Sequence, residues 1–211
     1  MDLSTLRARV RRDLHDEDSG SYRWTDNEMD RHIQRAVREL SAAVPLAAKA
    51  ALTTTAGSRD VSVSSLADLI GVQAIEYPVG KYPPVYVRFS HWQTTLTLLV
   101  DKFPAANEGV NVFYWKVHTL DSASSTVPSY LEDLLATGAA AYAALEWASF
   151  ATNRVNVGGE DVWQRYQTWG QRSLSAFMKG LANHNRRNVV RARQLYAPAA
   201  PMPSQATDWG P

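Results

Sequence analysis

Histidine and carboxylate side chains are the groups in this sequence that could bind a metal ion or transfer a proton. The histidines are His15, His32, His91, His118 and His184. No two of them have the spacing of metal ligands on one helix face, and none adjoins a carboxylate in a known metal-binding pattern. Cysteine is absent, which excludes disulfides, thiolate ligands and cysteine nucleophiles. We therefore expect no metal ion and no cofactor.

Patterns of catalytic residues are also missing from the sequence. Glu132 and Asp133 are adjacent and point to different sides of a helix, so they fit the negative charge favoured at a helix start better than an acid/base pair. There is no Gly-x-Ser-x-Gly elbow, and Gly158-Gly159 is not followed by the Lys-Ser or Lys-Thr of a phosphate-binding loop. The residues give catalysis no support, and we expect the protein not to be an enzyme.

Composition is that of a globular protein. Hydrophobic residues make up 45% and charged residues 20% of the 211 positions, enough for one substantial core. No run reaches the roughly 18 apolar residues of a membrane span, and the N-terminus lacks the apolar region of a signal peptide. We expect a soluble protein made in a cytoplasm, with no membrane partner.

Basic charge is concentrated towards the C-terminus, although the net charge is only +1. After Asp161 there are seven basic residues and one acid, Asp208, a difference of +6. The last four of the basic residues are Arg186, Arg187, Arg191 and Arg193. This cluster could contact DNA phosphates, pair with acidic groups of a partner, or end a helix in solvent. Without interleaved stacking aromatics or a recognition fold, sequence-specific nucleic-acid binding is disfavoured.

Hydrophobic periodicity predicts four helices. Their approximate ranges are 4–15, 25–44, 127–153 and 161–188. The third is so apolar around its circumference that we expect it to be central and buried. The fourth carries one apolar stripe, made of Trp163, Tyr166, Gly170, Leu174, Phe177 and Leu181.

The chain between the second and third helices is rich in Thr, Val and Tyr and alternates in polarity. Strands are predicted around 61–63, 85–89, 94–100 and 109–117, with a short helical turn at 65–70. The predicted fold is therefore α+β, mainly α: a bundle of about four helices with an inserted small antiparallel β-module and an extended C-terminal tail. The expected divisions are an N-terminal helical pair (1–47), the β-module (48–126), the helices completing the bundle (127–190) and the tail (191–211).

The start of the second helix has a clear local signature. Thr25 and Glu28 have the spacing of a capping box, in which each side chain bonds the backbone N–H of the other residue. Trp24 and Met29 can pack together as a hydrophobic staple, and Asp26 adds negative charge to the first turn. These features explain the residues locally without requiring a function.

The tail differs from the rest of the chain because it is rich in proline and has no hydrophobic periodicity. Most of the seven tryptophans are expected as core anchors, but Trp209 lies in the tail and has no core of its own. The tail is either a terminus without function or a segment that docks on another subunit through Trp209. At ~3.1 Å per residue of extended chain, residues 195–211 could span on the order of 50 Å.

The segment Tyr22-Arg-Trp24-Thr25-Asp26-Asn-Glu28-Met29 follows a short basic helix and precedes Ala36-Val-Arg-Glu-Leu40. It resembles the N-terminal region of head-to-tail connector (adaptor) proteins of tailed bacteriophages, where Y-x-W-[ST]-D-x-E-[LI] is followed by A-x-x-x-[LI]. The close match covers residues 3–44, and the two later helices and the tail are similar in layout. The β-module departs from the smallest members, which are almost wholly helical.

The resemblance implies a structural virion protein at the head–tail junction, assembled in the host cytoplasm. It implies a ring, commonly of twelve copies, that sits beneath the portal protein and extends the DNA channel towards the next tail or neck protein. DNA in the channel would be contacted without sequence specificity. The alternative is a nucleic-acid-binding accessory protein that uses the basic C-terminal region.

The tail would lie along the portal or a neighbouring subunit. The residues expected to make these contacts are Arg186, Arg187, Arg191, Arg193, Leu195, Tyr196 and Trp209. The arginine face of the helix over 25–44 would meet a neighbouring subunit or the channel.

Overall fold

The computed structural model describes residues 1–151 and 161–195, with side chains up to residue 185. The helices are α1 (Leu3–Asp13), α2 (Asp26–Ala43), α3 (Glu132–Ala151) and α4 (Val162–Leu195), with a 3₁₀ turn at Ser129–Leu131 before α3. The strands are β1 (Leu46–Thr53), β2 (Asp60–Ser62), β3 (Leu69–Glu76), β4 (Tyr86–Val87), β5 (Phe89–Trp92), β6 (Thr95–Leu98) and β7 (Gly109–Lys116). The predicted α+β fold is confirmed. The predicted extended tail lies, from residue 196 onwards, outside the described residues.

Helix α3 is the centre of the bundle and contacts α1, α2 and α4. Its buried residues are mostly alanine, with Leu135, Gly138 and Tyr142 among them. Small side chains let the neighbouring helix axes approach closely, so that their larger residues pack against the backbone of α3. The prediction of a central, buried third helix is confirmed.

The closest approach in the bundle is between α3 and α4. A Cβ atom added at Gly138 would lie 2.8 Å from the ring of Phe177, which is fully buried. The predicted stripe of α4 faces the bundle, with Gly170, Phe177 and Leu181 buried. The helix continues to Leu195, beyond the predicted end near residue 188 and into the range predicted as tail.

The β-module is two antiparallel sheets that share a separate hydrophobic core. The larger sheet has the strand order β1-β7-β3-β4 and the smaller one the order β2-β6-β5. The core residues come from both sheets and are Val61, Val63, Ile75, Leu96, Leu98, Val110 and Val112. Since β1 is the end strand of its sheet, one of its edges is free of sheet partners in the described part of the chain, and Lys49 lies in its middle.

Three parts of the β-module differ from the prediction, and one of them is strand β3, for which no strand was predicted. The predicted helical turn at 65–70 consists of turns that lead into β3 at Leu69, and Asp68 has a left-handed φ of 57°, which stops a helix. Strand β1 was not predicted, because its alanine-rich sequence has weak strand propensity. All eight of its residues pair with β7, from Leu46 opposite Lys116 to Thr53 opposite Gly109, and this pairing determines its conformation.

His118 joins the β-module to the bundle where the chain returns from β7. Its backbone N–H donates to the Ser41 hydroxyl at 3.0 Å, its Nε2 lies 3.0 Å from the Val44 carbonyl oxygen, and its Nδ1 lies 2.9 Å from that of Thr126. The residue is buried, and burial lowers the pKa of its imidazole. Ser41 and Val44 are at the end of α2, so this contact fixes the module against the bundle.

Replacing His118 by alanine should destabilise the protein by about 2–4 kcal/mol, because it leaves a buried cavity and unpaired polar groups. Urea unfolding monitored by circular dichroism would measure the change. His91→Ala is the matched control, since His91 bonds only the Gln93 carbonyl within its own exposed hairpin among the described contacts. Equal losses in the two variants would contradict a joining role for His118.

Candidate functional site

The predicted capping box at the start of α2 is confirmed. The Glu28 backbone N–H donates to the Thr25 hydroxyl at 3.3 Å, and the Thr25 backbone N–H donates to the Glu28 carboxylate at 2.8 Å. This second bond is the main reason that the pKa of Glu28 lies below its usual value. Trp24 and Met29 are both buried in the core of the bundle, as the staple requires.

Asp26 and Trp24, also part of the motif, are held by arginines of α1. Arg7 and Arg11 each donate to the Asp26 carboxylate at 2.9 Å, and Arg11 also donates to the Trp24 carbonyl at 2.8 Å. The guanidinium of Arg11 lies 3.6 Å from the centre of the Tyr22 ring, a cation–π contact. The motif therefore fixes α1 on α2 through partners inside the subunit. The motif residues with such partners are Tyr22, Trp24, Thr25, Asp26 and Glu28.

Arg11 is the residue at this site that sequence reasoning missed. It is only 4% exposed and forms an ion pair with Asp16, which is also buried and accepts the backbone N–H of Arg23 at 2.7 Å. In the sequence it is one of several arginines on α1 and has no distinguishing neighbour. Its spacing from the acidic loop that begins at Asp16 is the only signal that could have identified it.

Replacing Arg11 by alanine should destabilise the protein by about 3–5 kcal/mol, because the buried Asp16 carboxylate loses its partner. Arg12→Ala removes an arginine one position away, whose pair with Glu17 is exposed, and should cost at most about 1 kcal/mol. Thermal and urea unfolding of the two variants gives the comparison. A small effect of Arg11→Ala would show that the motif does not depend on this ion pair.

A second feature is a groove on the outer side of the bundle, which we call the arginine groove. It has a volume of about 580 Å³ and lies between α2, α3 and α4. Its lining residues are Arg31, His32, Arg35, Arg38, Tyr142, Leu145, Glu146 and Leu174. The predicted arginine face of the helix over 25–44 therefore forms one side of a concave surface.

One end of the arginine groove is neutralised within the subunit. Glu146 forms an ion pair with Arg31 and accepts a hydrogen bond from Nε2 of His32. His32 is buried, and its desolvation lowers the pKa of the imidazole, against the opposing effect of Glu146. At neutral pH His32 is therefore uncharged and donates one hydrogen bond to Glu146.

The other end of the arginine groove keeps its positive charge. Arg35 and Arg38 are exposed, and neither forms an ion pair with a described residue. The guanidinium of Arg35 lies 3.9 Å from the centre of the Tyr142 ring. The Tyr142 hydroxyl is buried and has no hydrogen-bond partner among the described residues, and burial raises its pKa.

The lowered pKa of His32 makes stability depend on pH. The unfolded chain takes up a proton near the ordinary value of 6.5 and the folded one only below it, so stability falls as the solution is acidified through this range. We expect the melting temperature to drop between about pH 7.5 and pH 5.5, and His32→Gln to drop less. The buried His118 contributes with the same sign, so some dependence remains in the variant. Identical pH profiles would contradict this assignment.

The predicted contact residues of the C-terminal region are placed only in part. The backbone of α4 includes Arg186, Arg187, Arg191, Arg193 and Leu195, but their side chains lie outside the described ones. Tyr196 and Trp209 lie outside the described residues altogether.

Some aromatic residues of the β-module are exposed, and one of them is a tryptophan. Trp92, at the β5–β6 hairpin, is 78% exposed, and Tyr82 is 98% exposed. Trp24 is buried, as expected, and Trp147 packs against its ring at a centroid distance of 5.8 Å. The exposed aromatics are candidates for contacts with other chains.

Within residues 1–151 and 161–195, no helix is long and apolar enough to cross a membrane. In the same part of the chain, no group of three or more His, Asp or Glu side chains is arranged to hold a metal ion.

The α1–α2 motif is the part of the chain that resembles the adaptor proteins of the virion head–tail junction. The chain belongs to the SU10 adaptor protein family, which it matches over residues 1–199. The resemblance carried by residues 3–44 is thereby confirmed, and the match extends well past them. The family's description is that of an adaptor protein, and this is the class to which the chain belongs.

Solved structures of gene transfer agent (GTA) particles contain chains similar to this one. A chain in the neck of an empty GTA particle, computed with C6 symmetry, is 13% identical, with a TM-score of 0.29 over 80% of this chain and 88% of that chain. A chain in the neck of the native particle, computed with C12 symmetry, is 13% identical, with a TM-score of 0.30 over 79% and 89%. Among curated proteins, none matches the chain.

Proposed function

We propose that this adaptor forms a ring of identical subunits, commonly twelve in this class, which joins the portal to the tail and extends the DNA channel. Membership of the SU10 adaptor protein family over residues 1–199 is the observation that carries the proposal. A ring needs two different surfaces on each subunit that bind each other repeatedly. The charged arginine groove and the exposed aromatics of the β-module provide surfaces of different chemistry for such contacts.

The C-terminal region is the proposed contact with the portal. Leu181 is the last buried residue of α4 among the described side chains, and the helix continues for 14 residues to Leu195, about 21 Å at 1.5 Å per residue. This part of α4 carries Arg186, Arg187, Arg191 and Arg193. Four arginines beyond the core suit bidentate pairing with carboxylates of a partner protein. Tyr196 would add an aromatic anchor to the same contact, and Trp209 would add one to the portal or to a neighbouring subunit.

The predicted divisions of the chain fit this proposed role. The helical pair at the N-terminus and the helices after residue 127 form the body of the subunit, and the β-module forms a separate unit with its own core. We assign the exposed aromatics of the module to contacts with a neighbouring subunit or with the next neck protein. The virion is the site of action, and the host cytoplasm the site of assembly.

Deleting residues 195–211 should abolish attachment of the ring to the portal while leaving a folded protein, because the core residues end at Leu181. Co-sedimentation of the purified variant with portal-containing particles, followed by electron microscopy of the neck, measures attachment. Circular dichroism melting supplies the folding control. Normal attachment of the truncated protein would exclude the C-terminal segment as the portal contact.

The basic excess after Asp161 supports a second candidate, a nucleic-acid-binding accessory protein. Such a protein would bind duplex DNA as an isolated subunit, with an affinity that falls steeply with salt. Replacing four arginines of α4 by alanine would then reduce DNA binding and leave particle attachment unchanged. The four are Arg186, Arg187, Arg191 and Arg193. The adaptor role predicts the opposite for this variant: weaker attachment to particles and unchanged DNA binding.

A further inference from the structure

Two arginines of the arginine groove, Arg35 and Arg38, have no ion-pair partner among the described residues. The groove can therefore bind an anionic group. Arg38 lies three positions after Arg35 on α2, so the two side chains project from the same face of the helix. The carboxylate in the groove lining, Glu146, is already bonded to both Arg31 and His32. The charge of Glu39, on the same helix as the two arginines, also acts on the Tyr142 hydroxyl. A carboxylate from outside the subunit could therefore pair with Arg35 and Arg38 without displacing an existing ion pair.

The remaining lining of the groove is apolar and aromatic. Leu145 and Leu174 are partly buried in its wall, and the Tyr142 ring forms part of its floor beneath Arg35. The buried Tyr142 hydroxyl, whose raised pKa keeps it protonated, is a hydrogen-bond donor without a described acceptor. These groups favour a ligand that combines a carboxylate with a large apolar side chain. A nucleic-acid backbone would pair with the arginines but would leave both leucines uncovered.

The chain itself contains a segment of this chemistry. Asp208 is the only acid after Asp161, and it is followed directly by Trp209. Tryptophan is favoured both as an anchor at protein interfaces and as a partner of arginine in cation–π contacts. The segment Asp208-Trp209 therefore offers one carboxylate for Arg35 and Arg38 and one indole for the leucine wall.

The extended segment is long enough to return to the groove of its own subunit, but the length of α4 makes that return demanding. Leu174 lines the groove, and the helix runs on for 21 residues to Leu195, about 32 Å along its axis. Residues 196–209 span about 43 Å when extended, so a return to the groove of the same subunit would use most of that length. A neighbouring subunit can be reached without this reversal.

We infer that the arginine groove of each subunit binds the Asp208-Trp209 segment of a neighbouring copy. The inference rests on the proposed ring and specifies one contact between its subunits. The arginines of α4 remain available for the portal. Each subunit then offers one groove and one segment, as a closed ring of head-to-tail contacts requires.

A labelled peptide tests this contact without requiring the ring to assemble. A fluorescein-labelled peptide of residues 196–211 is titrated into the full-length protein carrying Asp208→Asn and Trp209→Ala, whose own segment cannot compete, and anisotropy is recorded. We expect saturable binding that weakens at least tenfold with Arg35→Ala plus Arg38→Ala in the same background. Arg12→Ala, which removes an exposed arginine far from the groove in sequence, should leave the affinity unchanged. A peptide with Asp208→Asn should bind several-fold more weakly.

Three results would overturn the inference. The first is the absence of saturable peptide binding, and the second is equal binding by the Arg35/Arg38 variant. The third is markedly weaker binding to protein with an intact Asp208-Trp209 segment that stays the same when the protein is diluted, which would place the segment in the groove of its own subunit. A 20-base-pair DNA duplex that binds through Arg35 and Arg38 while the peptide does not would assign the groove to nucleic acid. Attachment to particles is measured in a separate experiment. A negative peptide result would therefore exclude this contact without deciding whether the proposed ring forms.

Discussion

Close packing around α3 is the constraint on which the rest of the bundle depends. Three helices share this one partner, and each can reach it only because α3 presents alanine or glycine on nearly every side. The Phe177 ring lies where a side chain at Gly138 would otherwise be. Interiors packed at this density tolerate little displacement, so the surrounding helices must be held at fixed distances and angles.

Polar contacts hold the other helices in place around this centre. Arg11 joins α1 to the start of α2, and Glu146 joins α3 to Arg31 and His32 of α2. Both contacts include a side chain that is at least nine-tenths buried, Arg11 in the first and His32 in the second, so their geometry is well defined. The arginine groove follows from the second contact: α2 is held with one end of its arginine face paired and the other end open.

The helices and the motif could be predicted because their signals are local. Periodicity identified α2 and α4, and the spacing of Thr25 and Glu28 specified the capping box. The partners of Arg11 and Glu146 could not be predicted, because their contacts join segments far apart in sequence. Strand β1 was missed for the same reason, since its alanines become a strand only by pairing with β7. The arginine face of α2 was visible in sequence, whereas its concave shape depends on Tyr142 and Leu174 from two other helices.

The contact of His118 with Val44 has an evolutionary consequence. It brings the entry and exit of the β-module together, with the His118 Nε2 atom 3.0 Å from the Val44 carbonyl oxygen. The module has its own core and returns the chain almost to the point where it left. An insertion with adjacent ends can be gained, lost or exchanged without moving the helices on either side. The module can therefore be changed as a unit while the helices of the bundle keep their positions.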